Sequence, residues 1–461
     1  MEHYDVVVIG SGPAGEGAAM MLSKNHRRVA VVERYEDVGG GCTHWGTIPS
    51  KALRHAVKTI SDFRQNPLFR HAAEHLQVTF PQLLSTADRV IEGQVQLRQR
   101  FYDRNRVPVL HGKASFVDPH TLEIRPQVES AFRVTADHFV IATGSRPYRP
   151  PGVDFAHPHV RDSDTILSYP DSPFAVTIYG AGVIGCEYAS IFLNMGAKVT
   201  LVNTQDRLLS FMDEEIAEAL SYHLRDQGCV IRHTEQFESL ETRERDVLLK
   251  LKSGRRIKSD LLLWANGRTG NTDGMNLEGI GLAPNQRGQI PVNERYQTAL
   301  PHIYAAGDVI GPPALASAAY QQGSFVGHAI LDPATPPAPL ELVPSGIYTI
   351  PEISSVGQSE RELQAAGVPY EIGHTHFKSL ARAQMTGNRV GMLKILFHAQ
   401  TLQVLGVHCF GDNASEIVHI GQAVMSGAGN DVRHFIRTTF NYPTMAEAYR
   451  IAAYNGLNRL A

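Results

Sequence analysis

The sequence has 461 residues, 43% of them hydrophobic and 19% charged, and a formal net charge of -3. This near balance of charge gives no electrostatic reason to expect nucleic acid or an anionic membrane as a partner. The length predicts about three domains, because a single hydrophobic core stops growing at roughly 250–300 residues.

The cysteines and the first residues indicate the cellular compartment in which we expect the protein. The sequence has four cysteines, Cys42, Cys186, Cys229 and Cys409. They are far apart and form no C-x-x-C pair, so we expect neither a disulfide framework nor a metal site. The apolar run 6–9 follows the first residue too closely to leave room for a signal peptide. The most apolar long stretch, 174–202, is interrupted by glycines and by Glu187, which predicts strand, turn, helix and strand and not a membrane span. We expect a cytoplasmic protein.

The chain opens with the pattern of a dinucleotide-binding fold. A buried strand is predicted over 6–9, a helix over 16–24 and a second strand over 28–32. The turn before the helix contains Gly10, Gly12 and Gly15, which let the backbone approach a pyrophosphate while the helix amides stabilise its charge. Glu33 closes the second strand, where this fold places a carboxylate that accepts hydrogen bonds from a ribose. An ordinary tight turn explains the glycines alone, but not the strand, helix and acid at these spacings.

The same pattern returns later in the chain. A strand ends before Gly180, Gly182 and Gly185, and a helix over 186–195 and a strand over 198–202 follow. Two dinucleotide folds predict two dinucleotides. We expect an α/β protein with two Rossmann-like dinucleotide-binding domains and a C-terminal α+β domain.

Several segments resemble those of the flavoprotein disulfide reductases, over nearly the whole chain. They are the two glycine motifs, the run Gly-Gly-Gly-Cys-Thr-His-Trp-Gly-Thr-Ile-Pro-Ser-Lys at 39–51, the segment 139–147, Gly307-Asp308 and the C-terminal 441–447. The resemblance implies an FAD-binding domain at 1–147 that resumes at 267–335, an NAD(P)-binding domain at 148–266 and a dimerisation domain at 336–461, after a proline-rich linker over 333–344. It also implies at least a homodimer.

Two residues depart from the disulfide reductase pattern. Family members have a second cysteine five residues after the position of Cys42, and here that residue is Thr47. A hydroxyl cannot take part in thiol–disulfide exchange, so the relay that carries electrons from flavin to a disulfide substrate is broken. The family's C-terminal histidine, which acts as acid–base catalyst for the thiols, is replaced by Tyr442. A tyrosine, with an unperturbed pKa of about 10, is a poor proton shuttle at neutral pH.

The segment 39–51 is more narrowly similar to that of the soluble pyridine nucleotide transhydrogenases, which are FAD enzymes. This resemblance implies hydride transfer from NADPH to NAD through bound FAD, in ping-pong order at one nicotinamide site. The resemblance assigns to flavin binding Gly10, Gly12, Gly15, Glu33, Arg34, Gly40, Gly41, Cys42, Lys51, Lys113, Ala114, Thr143, Gly144, Asp308 and Ala316. It assigns to NAD(H) or NADP(H) binding Gly180, Gly182, Gly185, Asn203, Arg207 and Gly267.

Lys51 and Glu187 match the family's ion pair beside the flavin ring. A cation near the flavin N5 edge stabilises the negative charge that develops on reduction, so we expect both residues to be catalytic. The alternative is a structural salt bridge.

Asn203 closes the second strand of the second fold, where an NAD-only site has Asp or Glu. A carboxylate there repels the 2'-phosphate of NADP, whereas an amide bonds hydroxyls without repelling phosphate. Nearby Thr204 and Arg207 offer a hydroxyl and a positive charge. This composition is what dual use of NAD and NADP needs, although a turn-forming role for Asn203 is an equal alternative.

Two other functions are alternatives, and the first of them depends on Cys42. Single-cysteine relatives of the family use such a residue as a sulfenate or mixed disulfide, which makes a flavin-dependent NAD(P)H oxidase or peroxidase the first alternative. For that function, we expect His44 and the following helix to lower the pKa of the Cys42 thiol. The competing role for Cys42 is that of a small, buried hydrophobic side chain. A non-catalytic FAD- and nucleotide-binding sensor is the second alternative.

Overall fold

Strands and helices alternate over the first two thirds of the chain, and an antiparallel sheet with helices follows. The computed structural model describes residues 1–337 and 340–460. The strands are β1 (Glu2–Ile9), β2 (Val29–Glu33), β3 (Val109–His111), β4 (Lys113–Asp118), β5 (Thr121–Arg125), β6 (Phe132–Ile141), β7 (Ser145–Pro147), β8 (Val160–Asp162), β9 (Ala175–Tyr179), β10 (Lys198–Val202), β11 (Val230–Arg232), β12 (Phe237–Thr242), β13 (Val247–Leu251), β14 (Arg256–Ser259), β15 (Leu261–Trp264), β16 (Arg268–Gly270), β17 (Ile303–Ala305), β18 (Ser345–Ile347), β19 (Glu352–Gly357), β20 (Tyr370–His376), β21 (Gly391–His398) and β22 (Val404–Gly411). The helices are α1 (Pro13–Lys24), α2 (Gly40–His44), α3 (Thr47–Gln65), α4 (Arg70–Glu74), α5 (Phe80–Arg104), α6 (Val183–Asn194), α7 (Glu214–Asp226), α8 (Ala316–Leu331), α9 (Glu360–Ala365), α10 (Ala381–Thr386), α11 (Ala414–Ser426), α12 (His434–Arg437) and α13 (Glu447–Leu457).

The first sheet is built around β1. It has the order β3-β2-β1-β6-β5-β4, and β17 lies beside β6. β1 is parallel to both of its neighbours, β2 and β6. Both faces of β1 are buried: Val6 and Val8 pack in one apolar cluster, and Val7 and Ile9 in another. A continuous apolar run of this kind is what a parallel sheet covered on both faces requires.

Helix α8 returns the chain to the first glycine turn. A Cβ built at Gly323 in α8 would lie 1.9 Å from the carbonyl oxygen of Ala14 in α1. A Cβ at Gly17 in α1 would lie 2.4 Å from the carbonyl oxygen of Tyr320. Because glycines at these positions let the helix backbones approach, α8 and the residues just before it, including Asp308, lie next to the first turn of α1.

The second sheet repeats the central arrangement of the first. Its order is β11-β10-β9-β15-β8, all of its pairings are parallel, and β9 is in the position that β1 has in the first sheet. A three-stranded antiparallel sheet, β12-β13-β14, adjoins it in the chain, and β7 pairs with β16 where the chain passes between the two nucleotide folds.

The C-terminal sheet is antiparallel, in the order β18-β19-β22-β21-β20. An ion cluster joins it to α7 of the second fold. Lys394 in β21 is fully buried, and its Nζ lies 2.9 Å from Asp213 and 3.1 Å from Glu215 and also pairs with Glu360. A buried ammonium group is tolerated only when it is paired in this way.

The α/β fold class with two Rossmann-like units and a C-terminal α+β part is confirmed. The strand over 198–202 has the predicted bounds, but β1 begins at Glu2 and not at Val6, because its first residues pair with β6 from Val134 onward. Helices α1 and α6 begin three residues earlier than predicted, directly after Gly12 and Gly182. The predicted linker over 333–344 includes residues 338 and 339, which lie outside the described residues. Within residues 1–337 and 340–460, no helix combines the length and the apolarity that a membrane crossing needs.

Candidate nucleotide and flavin sites

Two of the three glycines of the first turn, Gly10 and Gly15, have a geometry that only glycine allows. Gly10 has a φ of +107°, and a Cβ there would lie 2.4 Å from the carbonyl oxygen of Ala142. A Cβ at Gly15 would lie 1.9 Å from the carbonyl oxygen of Gly10. Gly12 precedes α1 in an extended conformation, so the free N–H groups of the first turn of α1 follow it directly. Gly40 packs closely here, because its Cβ would lie 2.8 Å from the Cα of Gly12.

Glu33 lies at the end of β2 and is buried, with 4% of its surface exposed. Its Oε2 accepts hydrogen bonds from the N–H of Ser11 at 3.1 Å and the hydroxyl of Ser11 at 2.6 Å, and its Oε1 accepts one from the N–H of Tyr35 at 3.1 Å. Since a carboxylate offers about four acceptor positions, one is left for a ribose hydroxyl. The carbonyl oxygen of Glu33 accepts a hydrogen bond from Gly112, which brings the predicted Lys113 and Ala114 next to this corner. The predicted Arg34 is exposed, and its guanidinium carbon lies 4.7 Å from the centroid of the Tyr35 ring.

Asp308 belongs to a polar group that joins three separate segments. Its Oδ2 accepts a hydrogen bond of 2.7 Å from Ser145, and the Nε of Arg268 donates to the same hydroxyl oxygen of Ser145 at 2.7 Å. The Nε of Arg268 is also 3.9 Å from Asp308. The neighbouring Gly144 has a φ of +68°, and α8 begins nearby at the predicted Ala316. Ser145 and Arg268 were not assigned a role from the sequence, because their pairing depends on contact between β7 and β16.

Two buried threonine hydroxyls around this corner have no hydrogen-bond partner among the described residues. They belong to the predicted Thr143 and to Thr43, which the sequence did not single out. Leaving a buried hydroxyl unpaired costs about 1–3 kcal/mol. Together with the open acceptor position on Glu33 and the glycine turn before α1, these hydroxyls fit a large polar ligand such as FAD.

The second glycine turn repeats the geometry of the first. Gly180 has a φ of +112°, and its Cβ would lie 2.6 Å from the carbonyl oxygen of Ala265. A Cβ at Gly185 would lie 1.8 Å from the carbonyl oxygen of Gly180. Gly182, however, has nothing within 4 Å of its Cβ position among the residues that the structure describes. The approach to the first turn of α6 is therefore open at this point, as a pyrophosphate requires. Gly267, with a φ of +100°, follows the end of β15 beside this turn.

Lys51 in α3 and Glu187 in α6 form an ion pair between the two nucleotide folds. The Nζ of Lys51 lies 3.0 Å from Oε1 and 2.8 Å from Oε2 of Glu187. The side chain of Glu187 is 6% exposed and that of Lys51 is 26% exposed. The carboxylate is thus nearly out of solvent, whereas the lysine side chain keeps partial access to solvent.

Cys42 and Thr47 cannot form a disulfide, and burial dominates the titration of the thiol. Burial raises the pKa of Cys42 above its ordinary value, and the Thr47 side chain opposes this effect only in part. The interpretation that the surroundings lower this pKa is therefore wrong. His44 is turned to the backbone, because its Nε2 lies 2.9 Å from the carbonyl oxygen of Val38.

The raised pKa of Cys42 predicts slow alkylation. A thiol is neutral below its pKa and becomes the reactive thiolate only above it. We expect iodoacetamide to label Cys42 slowly at about pH 7 and progressively faster as the pH rises beyond about 8.5, the ordinary pKa of a thiol. Mass spectrometry of the peptide over 39–51 measures the rate at each pH. A rate that reaches its plateau below pH 7 would show a low-pKa, reactive cysteine instead.

Asn203 is buried, and its side chain is engaged by its own loop and by His233. The Nδ2 donates to the carbonyl oxygen of Arg207 at 2.7 Å and lies 3.2 Å from Nδ1 of His233, and the Oδ1 accepts from the N–H of Gln205 at 3.2 Å. These contacts are those of a turn-forming residue. The guanidinium of Arg207 is paired with Glu214, so its charge is already partly compensated. The sequence missed both partners, because His233 follows another strand and Glu214 begins α7.

Tyr442 stands where the disulfide reductases have their C-terminal histidine. It lies on the surface of the C-terminal part, with 66% of its area exposed. The other three cysteines, Cys186, Cys229 and Cys409, are buried and unpaired. The structure therefore brings Lys51, Glu187, Cys42 and Thr47 to the region between the nucleotide folds and leaves Tyr442 at the protein surface.

Comparison with known proteins gives matches along the chain. The family model described as pyridine nucleotide-disulphide oxidoreductase matches residues 4–323, and the model of the dimerisation domain of the same family matches residues 343–453. A protein of Enterobacter sp. (strain 638) named soluble pyridine nucleotide transhydrogenase is 59% identical over 459 residues, covering 99% of this chain and 98% of the relative. A protein of the same name from Salmonella paratyphi C is 58% identical with the same coverage.

Solved structures share the fold. A Cu(II) complex of the HOCl-induced flavoprotein disulfide reductase RclA from Escherichia coli is 27% identical, with a TM-score of 0.89 over 98% of this chain and 99% of that one. LpdA from Mycobacterium tuberculosis has a TM-score of 0.90 over 100% of both chains at 24% identity, which shows likeness of fold alone.

Proposed function

The chain belongs to the pyridine nucleotide-disulphide oxidoreductase family, and on that premise we propose that it is an NAD(P) transhydrogenase that moves hydride between NADPH and NAD. Relatives with the name soluble pyridine nucleotide transhydrogenase, 58–59% identical over 99% of the chain, support this proposal. The reaction is reversible, because both nucleotides carry the same nicotinamide ring.

FAD is the cofactor that we propose for the first nucleotide fold. The glycine turn before α1, Glu33, Thr43, Thr143 and Asp308 would hold it. When bound, FAD supplies two-electron chemistry, since its isoalloxazine ring takes up hydride from one nicotinamide nucleotide and delivers it to another. The protein contributes binding, orientation and electrostatics.

The single observation that carries the proposal is Thr47. It occupies the place of the second redox cysteine, and its hydroxyl cannot form a disulfide with Cys42, so this segment has no sulfur couple that could take electrons from the flavin. Burial also holds Cys42 in its neutral form, because it raises the pKa of the thiol. A disulfide substrate therefore meets no thiol pair at positions 42 and 47 that could pass electrons to it.

Lys51 is the residue to which we assign electrostatic help to hydride transfer, and Glu187 holds it in place. The carboxylate accepts two hydrogen bonds from the same ammonium group, at 3.0 and 2.8 Å. A cation that is fixed before the reaction stabilises developing negative charge without having to reorient. The role of Glu187 in this arrangement is to fix that orientation.

We propose that one nicotinamide site serves both nucleotides in turn, in ping-pong order. It consists of the second glycine turn, Gly267 and the loop after β10. Because Asn203 is not a carboxylate, the loop does not repel the 2'-phosphate of NADP(H), and it still accepts the ribose of NAD(H). Arg207 takes part only if its pairing with Glu214 opens.

Assembly, location and domain limits complete the proposal. The C-terminal dimerisation domain indicates association between copies of the chain, and we propose a homodimer or a larger homo-oligomer. The four free cysteines support a reducing compartment, and we propose the cytoplasm. We retain residues 1–147 with 267–335, 148–266 and 336–461 as the FAD, NAD(P) and dimerisation domains.

Anaerobic stopped-flow absorbance tests the function directly. The FAD-loaded protein is reduced with NADPH and then mixed with a thionicotinamide analogue of NAD. We expect bleaching of the flavin band in the first step, and its recovery together with formation of the reduced analogue in the second. A flavin band that stays bleached until oxygen is admitted would favour the oxidase, and the absence of bleaching with NADPH would favour the sensor.

The variant Cys42→Ser separates transhydrogenase from oxidase or peroxidase. We expect at least about a third of the transhydrogenation rate to remain, because serine keeps a small polar side chain beside Thr47 and its loss corresponds to less than about 1 kcal/mol of barrier. Steady-state assays with NADPH and the NAD analogue measure this rate. An oxidase or peroxidase that works through a sulfenate would instead lose its activity with oxygen or peroxide completely.

A further inference from the structure

Tyr348 contacts both members of the ion pair between the nucleotide folds. Its backbone N–H donates to Oε1 of Glu187 at 2.8 Å. The centroid of its ring lies 5.1 Å from the Nζ of Lys51. Tyr348 itself lies between β18 and β19 of the C-terminal sheet, so three parts of the chain meet at this pair.

We propose that Tyr348 is a positioning residue for hydride transfer. Its N–H orients the Glu187 carboxylate, and its ring covers one side of the Lys51 ammonium group. This inference deepens the proposed function and rests on it. An aromatic face attracts a cation, and it also displaces water that would otherwise screen the charge.

The contacts of Glu187 show why the backbone of Tyr348 matters. Oε1 receives the Tyr348 N–H and one contact from Lys51 at 3.0 Å, and Oε2 receives the other contact from Lys51 at 2.8 Å. This third hydrogen bond, from a second donor, fixes the plane of the carboxylate, which the lysine alone does not. The ammonium group is therefore held from the carboxylate side by Glu187 and is faced by the ring of Tyr348.

A hydrogen-bonded network fixes the backbone beside Tyr348. The N–H of Ser415 donates to Glu352 at 3.2 Å, and Glu352 pairs with Arg54 at 3.0 Å. Arg54 donates to the carbonyl oxygen of Thr349, the next residue, at 3.0 and 3.2 Å. The backbone is thus held on both sides of the ring, by the N–H of Tyr348 on Glu187 and by the contacts of Arg54 to Thr349.

Three substitutions at this position separate the ring from the hydroxyl. Tyr348→Phe keeps the ring and the backbone N–H, whereas Tyr348→Leu and Tyr348→Met keep only the N–H. The FAD-loaded full-length variants are compared in the rate of flavin reduction by NADPH, in its dependence on NADPH concentration and in the flavin midpoint potential. The midpoint potential is a readout that loss of packing elsewhere does not move.

We expect Tyr348→Phe to react within about twofold of the wild type. Tyr348→Leu and Tyr348→Met should lower the limiting rate of flavin reduction about tenfold and lower the midpoint potential. The NADPH concentration that gives half the limiting rate should change less than about twofold, since the ring orients a charge and does not bind the nucleotide. Methionine fills more of the vacated space than leucine does. The Tyr348→Met variant is therefore measured if Tyr348→Leu does not fold.

Tyr4→Leu is the matched control. Like Tyr348, Tyr4 has its ring next to a cation, with the Arg28 guanidinium carbon 4.8 Å from the ring centroid. Tyr4 is buried and lies near the start of β1, at the other end of the strand from Gly10. We expect this variant to lose stability and to keep its midpoint potential.

Unchanged reduction rates and potentials in both Tyr348→Leu and Tyr348→Met would overturn the inference. Failure of this inference is distinguishable from failure of the proposed function. The proposed function is tested by reoxidation of the wild-type flavin with the NAD analogue. The inference is tested by the rate of flavin reduction and the midpoint potential of the variants.

Discussion

Replacing Lys51 by glutamine is expected to slow flavin reduction by NADPH roughly 10²–10³-fold, the usual cost of removing one preorganised electrostatic donor from a reacting centre. The rate falls because the ammonium group of Lys51 is fixed by two contacts to Glu187 at 3.0 and 2.8 Å, while 26% of the lysine side chain remains exposed. Glutamine has similar length and no charge. Anaerobic stopped-flow absorbance of the FAD-loaded variant measures the rate.

A change of this kind also affects folding, so stability has to be measured beside the rate. Loss of Lys51 leaves Glu187, whose side chain is 6% exposed, without its cation, and we expect a loss of about 1–3 kcal/mol. The double variant Lys51→Gln/Glu187→Gln removes the unpaired charge and should regain part of the stability, but not the rate. A rate that returns with the stability would assign a purely structural role to the pair.

Lys58→Gln provides the control for charge loss on the same helix. Lys58 also lies in α3 and is paired with Asp62 at 2.6 Å and Asp412 at 3.4 Å. We expect this variant to keep the wild-type rate of flavin reduction. A similar fall in both lysine variants would mean that the overall charge of α3, and not the place of Lys51, controls the reaction.

Two alanine substitutions in the second glycine turn are expected to separate nucleotide binding from folding. Gly182→Ala should raise the KM for NADPH and for NAD about 10–100-fold, a loss of about 1.4–2.8 kcal/mol of binding. The Cβ position of Gly182 has nothing within 4 Å, and the residue has a φ of -79°, so the chain accepts a methyl group there. That methyl group would stand between a pyrophosphate and the first N–H groups of α6. The cost to stability should be about 1 kcal/mol or less, as for alanine in place of glycine before a helix.

Gly185→Ala should instead destabilise the fold by at least about 3 kcal/mol. Its Cβ would lie 1.8 Å from the carbonyl oxygen of Gly180, and this clash is with backbone, so only movement of α6 against β9 relieves it. Thermal unfolding with and without added NADPH, together with steady-state kinetics, measures both effects.

Gly93→Ala is the matched control, because it adds the same methyl group to an exposed position of α5 with nothing within 4 Å. We expect it to be neutral or to stabilise the helix by about 0.5–1 kcal/mol. Equal KM values in Gly182→Ala and in the wild type would contradict the placement of the nucleotide at this turn.

The likeness between the two nucleotide folds could be predicted from the sequence because it depends on a few neighbouring residues. Each glycine turn is defined within a few residues by backbone conformation, with a φ of +107° at Gly10 and +112° at Gly180. No side chain from elsewhere is needed to create that requirement, although carbonyl oxygens of Ala142 and Ala265 close the space above these glycines. Strand and helix ends were less accessible, because the start of β1 depends on pairing with β6.

By itself, the sequence determined the α/β class, the two nucleotide folds, the family and the loss of the thiol couple at Thr47, since all of these depend on residue type and short spacing. Only the tertiary structure decided the state of individual charges and thiols. Burial raises the pKa of Cys42, Glu214 compensates Arg207, and the N–H of Tyr348 reaches Glu187 across 161 positions of the chain. The physical reason is that burial and charge pairing depend on which distant segments pack together, and spacing within one segment carries no record of those contacts.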